Sequence, residues 1–178
     1  VSKKVILDFL SAHELPFEVF NHPPLYTCED AATLAPAMPG AMTKNLFLQY
    51  KDSAPLEQKV SLNGQRYLLV TVPDHMRVDL KALGTELKTG KLSFAPPEVL
   101  LELLQLTPGA VSLLGLKFDL RRWVTPIIDC EIWESELIQC HPMENTATCV
   151  IPKAALAKFF ELTGHTPQVL NIPRRLPA

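Results

Sequence analysis

The sequence predicts an α+β fold, with helices flanking a cluster of strands that are joined mostly by hairpins. Apolar residues recur at helical spacing near the N-terminus and again in residues 99–104. Residues 44–50, centred on the apolar run 46–48, and the nearly all-apolar residues 67–72 are short stretches of strand length. Between Val60-Ser61-Leu62 and the second of those stretches stands Asn63-Gly64, the strongest short-range hairpin signal in the chain.

Taken in order, Ser2 caps a first helix whose buried face carries Val5, Ile6, Phe9 and Leu10 and which fades near His13, ahead of Pro16. Phe17, Val19 and Phe20 alternate as a short strand. Two consecutive prolines then hold His22 in an extended connection. Thr27 with Asp30 forms a capping box for a short helix through Ala31, Ala32 and Leu34, ended by Pro36. A strand follows over residues 44–50, and residues 51–59 are a polar excursion. The strand after Asn63-Gly64, residues 67–72, is apolar enough to be buried on both faces.

Asp79 caps a short helix, and Pro96-Pro97 open another whose stripe is Val99, Leu100, Leu103 and Leu104, stopping at Thr107-Pro108-Gly109. Residues 123–133 are rich in β-formers, with Pro126 confined to an edge, a bulge or a strand start. Residues 136–140 and 147–151 are two strands joined by His-Pro-Met-Glu-Asn. Pro152 opens the last long helix, residues 153–163, with Gly164 as its left-handed stop, and residues 168–172 add a final strand.

Composition narrows the function classes. At 178 residues, 47% hydrophobic and 20% charged, the chain has a globular profile without a break that would divide it, so a single domain over residues 1–178 is expected. No run approaches the ~18 apolar residues of a membrane span, and a cytoplasmic location is expected. Cys28, Cys130, Cys140 and Cys149 lack metal-ligand spacing, so no metal is expected. A net charge of −2 offers no global attraction for DNA or RNA. A local basic face is compatible with Arg66, Arg77, Lys81, Lys88, Lys91, Lys117, Arg121 and Arg122 in the middle of the chain.

Three stretches carry chemistry. Lys44 and Asn45 stand at the mouth of the apolar run 46–48, where a lysine either snorkels to solvent or meets an anionic ligand. Gly109, Ala110, Val111 and Ser112 form a small-residue loop after a helix, whose N–H groups could hold a developing oxyanion or simply pack on the sheet. His141 and Asn145 share a hairpin held by Pro142. A Ser112–His141 hydrolase pair is set aside, since no GxSxG elbow surrounds Ser112. Phosphate-loop and dinucleotide fingerprints are absent.

The order of these segments resembles the prolyl-tRNA editing family, which comprises the editing domain of bacterial prolyl-tRNA synthetase and free-standing relatives that include the YbaK proteins. The resemblance runs over about residues 4 to 172, and residues 92–100, 106–112 and 141–148 look most like the free-standing alanyl-tRNA(Pro) deacylases. It implies a mixed, barrel-like sheet flanked by helices, no cofactor, and hydrolysis of an aminoacyl ester at the acceptor end of tRNA(Pro), with prolyl-tRNA synthetase as a further partner.

Residue by residue, the resemblance makes Lys44 the catalytic lysine and Asn45 its neighbour. It places Gly109, Ala110, Val111 and Ser112 around the aminoacyl group, with Ala110 and Val111 as a size-selective wall. His141 and Asn145 carry the family's HPxxN element, and His22 with Pro23 its HPP segment at the pocket mouth. Many relatives close the small-residue loop with a proline, where this chain has Leu113. A cysteinyl-tRNA(Pro) deacylase of YbaK type and a non-catalytic tRNA- or synthetase-binding module are the alternatives.

Overall fold

The structure, a computed structural model, describes residues 3–25, 30, 33–52 and 62–175. The expected capping box at Thr27 and most of the polar excursion at residues 51–59 lie outside the described residues. Helix α1 (Lys3–Ala12) buries Ile6 and Leu10 completely, but Val5 stays 41% exposed, so its buried stripe is narrower than expected. Strand β1 (Glu18–Asn21) follows, then β2 (Thr43–Lys51) and β3 (Gln65–Pro73).

Asn63 and Gly64 both adopt positive φ, 54° and 69°, the geometry of a primed hairpin turn. The strand that β3 pairs with is nevertheless β2, in antiparallel register from Thr43↔Pro73 to Lys51↔Gln65. Leu62 contributes only an isolated bridge to Gln65. The turn chemistry was therefore right, while the long antiparallel partner begins on the far side of the polar excursion.

Asp79 caps α2 (Leu80–Glu86) by accepting from the N–H groups of Lys81 and Ala82. Strand β4 (Ser93–Phe94) and α3 (Pro97–Leu104) come next. Helix α3 buries Val99, Leu100, Leu103 and Leu104 as expected, and ends earlier than Thr107, at a left-handed Gln105. A 3₁₀ helix spans Leu113–Phe118.

Residues 123–133 divide into β5 (Val124–Asp129) and α4 (Cys130–Glu134), where β-propensity had favoured strand throughout. The side chain of Asp129 ends the strand: it accepts from Glu131 N to cap α4 and from Ile172 N across the sheet edge. Pro126 pairs only with β3, since β8 (Gln168–Leu170) joins β5 at Ile127 and beyond, so its missing N–H is not called on. Strands β6 (Leu137–Cys140) and β7 (Ala147–Pro152) and helix α5 (Lys153–Thr163), stopped by Gly164 at φ 74°, match their expected places.

A three-stranded antiparallel sheet, β1-β7-β6, faces a five-stranded mixed sheet, β4-β2-β3-β5-β8. The fold is thus a mixed α+β arrangement flanked by helices, and no closed barrel forms among the described residues. β3 explains its own composition. Tyr67 and Leu69 point into a main core with α1, α3 and α5, while Leu68, Val70 and Val72 point into a second cluster with Leu83 and Ile127.

The two sheets are stitched at one corner. Ala41 bridges Ile138, and Gln139 Nε2 donates to the carbonyls of Met38, Pro39 and Gly40. Gly40 has φ 91°, and a Cβ there would lie 2.6 Å from the Leu137 carbonyl oxygen, so only glycine lets the chain pass.

Candidate functional site

Side-chain alternation along β2 sets the geometry of this corner. Phe47 enters the main core and Leu48 the second cluster, so Asn45 lies on the main-core side and Lys44 on the other. A hollow of about 320 Å³ opens where the sheets meet, its wall shared by Lys44, Asn45, Gly109, Val111 and His141. Leu25, Met38, Met42 and Thr148 complete its less polar side. Residues far apart in sequence thus converge on one cavity of ligand-site dimensions.

Lys44 sits at a border. It lines this hollow and also a second one of about 770 Å³, and its Nζ donates to the Met76 carbonyl at 2.5 Å. The ammonium group therefore belongs to a rim between cavities and not to bulk solvent.

Asn45 is committed to the protein. Its Nδ2 donates to the Val111 carbonyl at 3.0 Å, and its Oδ1 accepts from Thr71 Oγ1 at 2.6 Å. Asn45 thereby holds residue 111 against β2 while its side chain still lines the hollow. Gly109, at φ 89°, turns the loop back towards this strand.

The loop itself divides by burial. Gly109 and Val111 line the hollow, whereas Ala110 and Ser112 are buried behind it. The N–H of Ala110 is taken by the Thr107 carbonyl, and Ser112 Oγ accepts from Leu114 N to cap the 3₁₀ helix. Ala110, expected with Val111 as a size-selective wall, and Ser112, expected around the aminoacyl group, thus do not line this hollow. Leu113 is buried at the start of that helix.

His141 lines the hollow and uses Nδ1 on the Ala147 carbonyl at 3.1 Å. A carbonyl only accepts, so Nδ1 carries the proton and Nε2 of the neutral ring is left as an acceptor. Burial pushes this imidazole below its ordinary value of 6.5, the Ala147 carbonyl opposes the shift, and nearby His22 adds to it.

His22 is buried behind the wall, donating from Nδ1 to the Pro23 carbonyl and accepting at Nε2 from Thr148 Oγ1, each at 2.9 Å. Pro23 is exposed and off the wall, and Leu25 takes the position expected of it. Asn145 clips the two segments together, its carbonyl accepting from Leu25 N and its Nδ2 donating to the Leu25 carbonyl at 3.4 Å.

Sequence reasoning missed Gln139, Cys140, Thr148, Met38 and Met42, all of which border the hollow. Gln139 and Thr148 carried a signal, as polar residues inside otherwise apolar strands. Cys140 does not supply a nucleophile, because burial pushes its thiol up, and Cys149 beside it is pushed to about 12. Among the described residues no three His, Cys, Asp or Glu side chains gather as metal ligands.

Fold and hollow together define an α+β fold with a candidate ligand site at the junction of two sheets. Comparison with known proteins gives that class its family: the model of the aminoacyl-tRNA editing domain matches residues 22–159, and the chain belongs to that family. It is 33% identical over 171 residues to prolyl-tRNA synthetase associated domain-containing protein 1 of Danio rerio, covering 95% of this chain and 86% of that protein. It is 27% identical over 171 residues to the prolyl-tRNA editing protein ProX of Acetoanaerobium sticklandii, covering 96% and 98%. A crystal structure of a candidate trans-editing enzyme for prolyl tRNA synthetase shares the fold, with a TM-score of 0.61 and 19% identity over 97% of this chain and 98% of that one.

Proposed function

We propose that the chain is a trans-editing deacylase, a single editing domain over residues 1–178 that hydrolyses mischarged tRNA(Pro) in the cytoplasm, with alanyl-tRNA(Pro) as its preferred substrate. The observation that carries this reading is the hollow of about 320 Å³, at the small end of the ~300–1,000 Å³ usual for ligand sites, with Lys44 on its rim. Editing-family membership and the likeness to ProX support the substrate class. Prolyl-tRNA synthetase is the partner that such an activity serves.

In this reading the aminoacyl group enters the hollow and positioning supplies most of the catalysis, since an ester is already activated relative to an amide. Water, or the neighbouring ribose hydroxyl, adds to the ester carbonyl carbon. The carbonyl oxygen gains the electron pair and is met by the N–H groups of Gly109 and Val111. Collapse breaks the bond to the ribose oxygen, which leaves as a hydroxyl after taking a proton; where the ribose hydroxyl attacked first, water completes the release. Lys44 anchors the ribose-phosphate end or offsets the developing charge, and His141 Nε2 accepts from the substrate amine or the attacking water.

Specificity follows from size. A synthetase built for proline cannot strongly reject alanine, because each missing methylene costs only ~1–3 kcal/mol, so a second and smaller site improves fidelity. Val111 on the wall limits the acyl group, in place of the expected Ala110–Val111 pair. The test is a deacylation panel of alanyl-, cysteinyl- and prolyl-tRNA(Pro) with the wild type and Lys44→Ala. Rapid alanyl hydrolysis, slow prolyl hydrolysis and at least a tenfold loss in Lys44→Ala are expected. Equal rates on alanyl and prolyl esters sink the size account, a cysteinyl preference reassigns the substrate, and an unchanged Lys44→Ala removes Lys44 from the mechanism.

A further inference from the structure

The second hollow, of about 770 Å³, lies across β2 from the first and shares Lys44 with it. Its lining holds five cations, Lys44, Arg77, Lys81, Lys91 and Arg175, against one carboxylate, Asp79. That carboxylate is occupied in capping α2. Among the described residues none of the five cations forms an ion pair, although exposed lysines and arginines elsewhere in the chain do. In a chain of net charge −2 this is a local concentration of positive charge inside a concavity.

The same wall carries Phe94, which is 62% exposed on β4, an unusual position for so large an apolar ring beside cations. Cations that follow a phosphate backbone, next to an aromatic face on which a base can stack, are the two components of a single-stranded nucleic-acid site.

We propose that this second hollow is an RNA subsite: it takes the phosphodiester backbone of the unpaired nucleotides that precede the terminal adenosine, with one base stacked on Phe94. The identity of the RNA rests on the editing function proposed above, while the site itself rests on charge and shape. Lys44, at the shared border, would then stand where the strand passes from the large hollow to the small one.

The test is equilibrium binding of uncharged tRNA(Pro) to the full chain across a salt series, which needs no turnover. Lys81→Ala combined with Lys91→Ala should weaken binding about tenfold. It should also shrink the slope of log K against log salt by roughly 0.7 per lost single-strand phosphate contact. Phe94→Ala should weaken binding of tRNA(Pro) by about tenfold or more, yet leave a blunt acceptor duplex without the 3′ overhang unaffected.

Lys4→Ala combined with Lys158→Ala, two exposed lysines on α1 and α5, is the control for general electrostatics. An equal loss in that control, an unchanged slope in the Lys81 and Lys91 variant, or a Phe94→Ala effect that persists without the overhang would each overturn the site. Binding with these signatures but no hydrolysis would instead sink the editing proposal and leave the subsite standing.

Discussion

His141 shows how burial sets the state of a side chain. Burial, helped by nearby His22 and opposed by the Ala147 carbonyl that accepts from Nδ1, makes the folded state favour the neutral imidazole, whereas the unfolded chain protonates at the ordinary value of 6.5. The unfolded state binds more protons in that window, so His141 contributes stability that is present above pH 6.5 and lost as pH falls through its lowered folded value. Denaturant titrations of wild type and His141→Gln between pH 4.5 and 8 should diverge in that direction, the variant showing a flatter acid limb. Parallel curves would show that His141 is not the group responsible. Lys44, Asn45 and His141 were legible as polar residues in apolar or turn settings, but their roles were not. Whether an amide faces a ligand or a carbonyl sixty-six positions away is a property of tertiary contacts.

Among elements, the loop at residues 109–112 depends on β2 more than on its own sequence. Asn45 is the tie, and Thr71 fixes the tie from β3. Asn45→Ala should cost about 1–3 kcal/mol through the orphaned polar groups it leaves. Its effect on deacylation should exceed what that loss of folding explains, measured by comparing melting midpoints with rates at a temperature where both proteins are folded. An activity loss fully recovered under stabilising conditions would contradict the positioning role. Element identity was readable where a single period ran uninterrupted, as in α3, α5 and β3. It failed at residues 130–134, where Asp129 supplies a cap that outweighs the β-propensity of Ile132 and Trp133. The pairing of β2 with β3 over the polar excursion was likewise hidden, because register is decided by which faces must be buried.

On the scale of the whole molecule, β3 belongs to both apolar clusters, with Leu69 fully buried in one and Leu68 nearly so in the other. Truncating either leucine to alanine should cost about 2–5 kcal/mol. If residues 1–178 behave as the single unit proposed, Leu68→Ala and Leu69→Ala should lower one common melting transition by ~2–4 °C per kcal/mol. Two separable transitions, each moved by only one variant, would contradict a single unit. The fold class was accessible because both clusters write their periods into the chain. The corner that joins the sheets was not, since it depends on Gln139 reaching carbonyls about a hundred residues earlier. Alternation along β2 also turns positions 44 and 45, neighbours in sequence, to opposite faces of the sheet, with Asn45 on the wall of the first hollow and Lys44 on the border of both. A mutation that retunes grip on a long polyanion need not disturb selection of its small cargo, and the two traits could be adjusted one at a time.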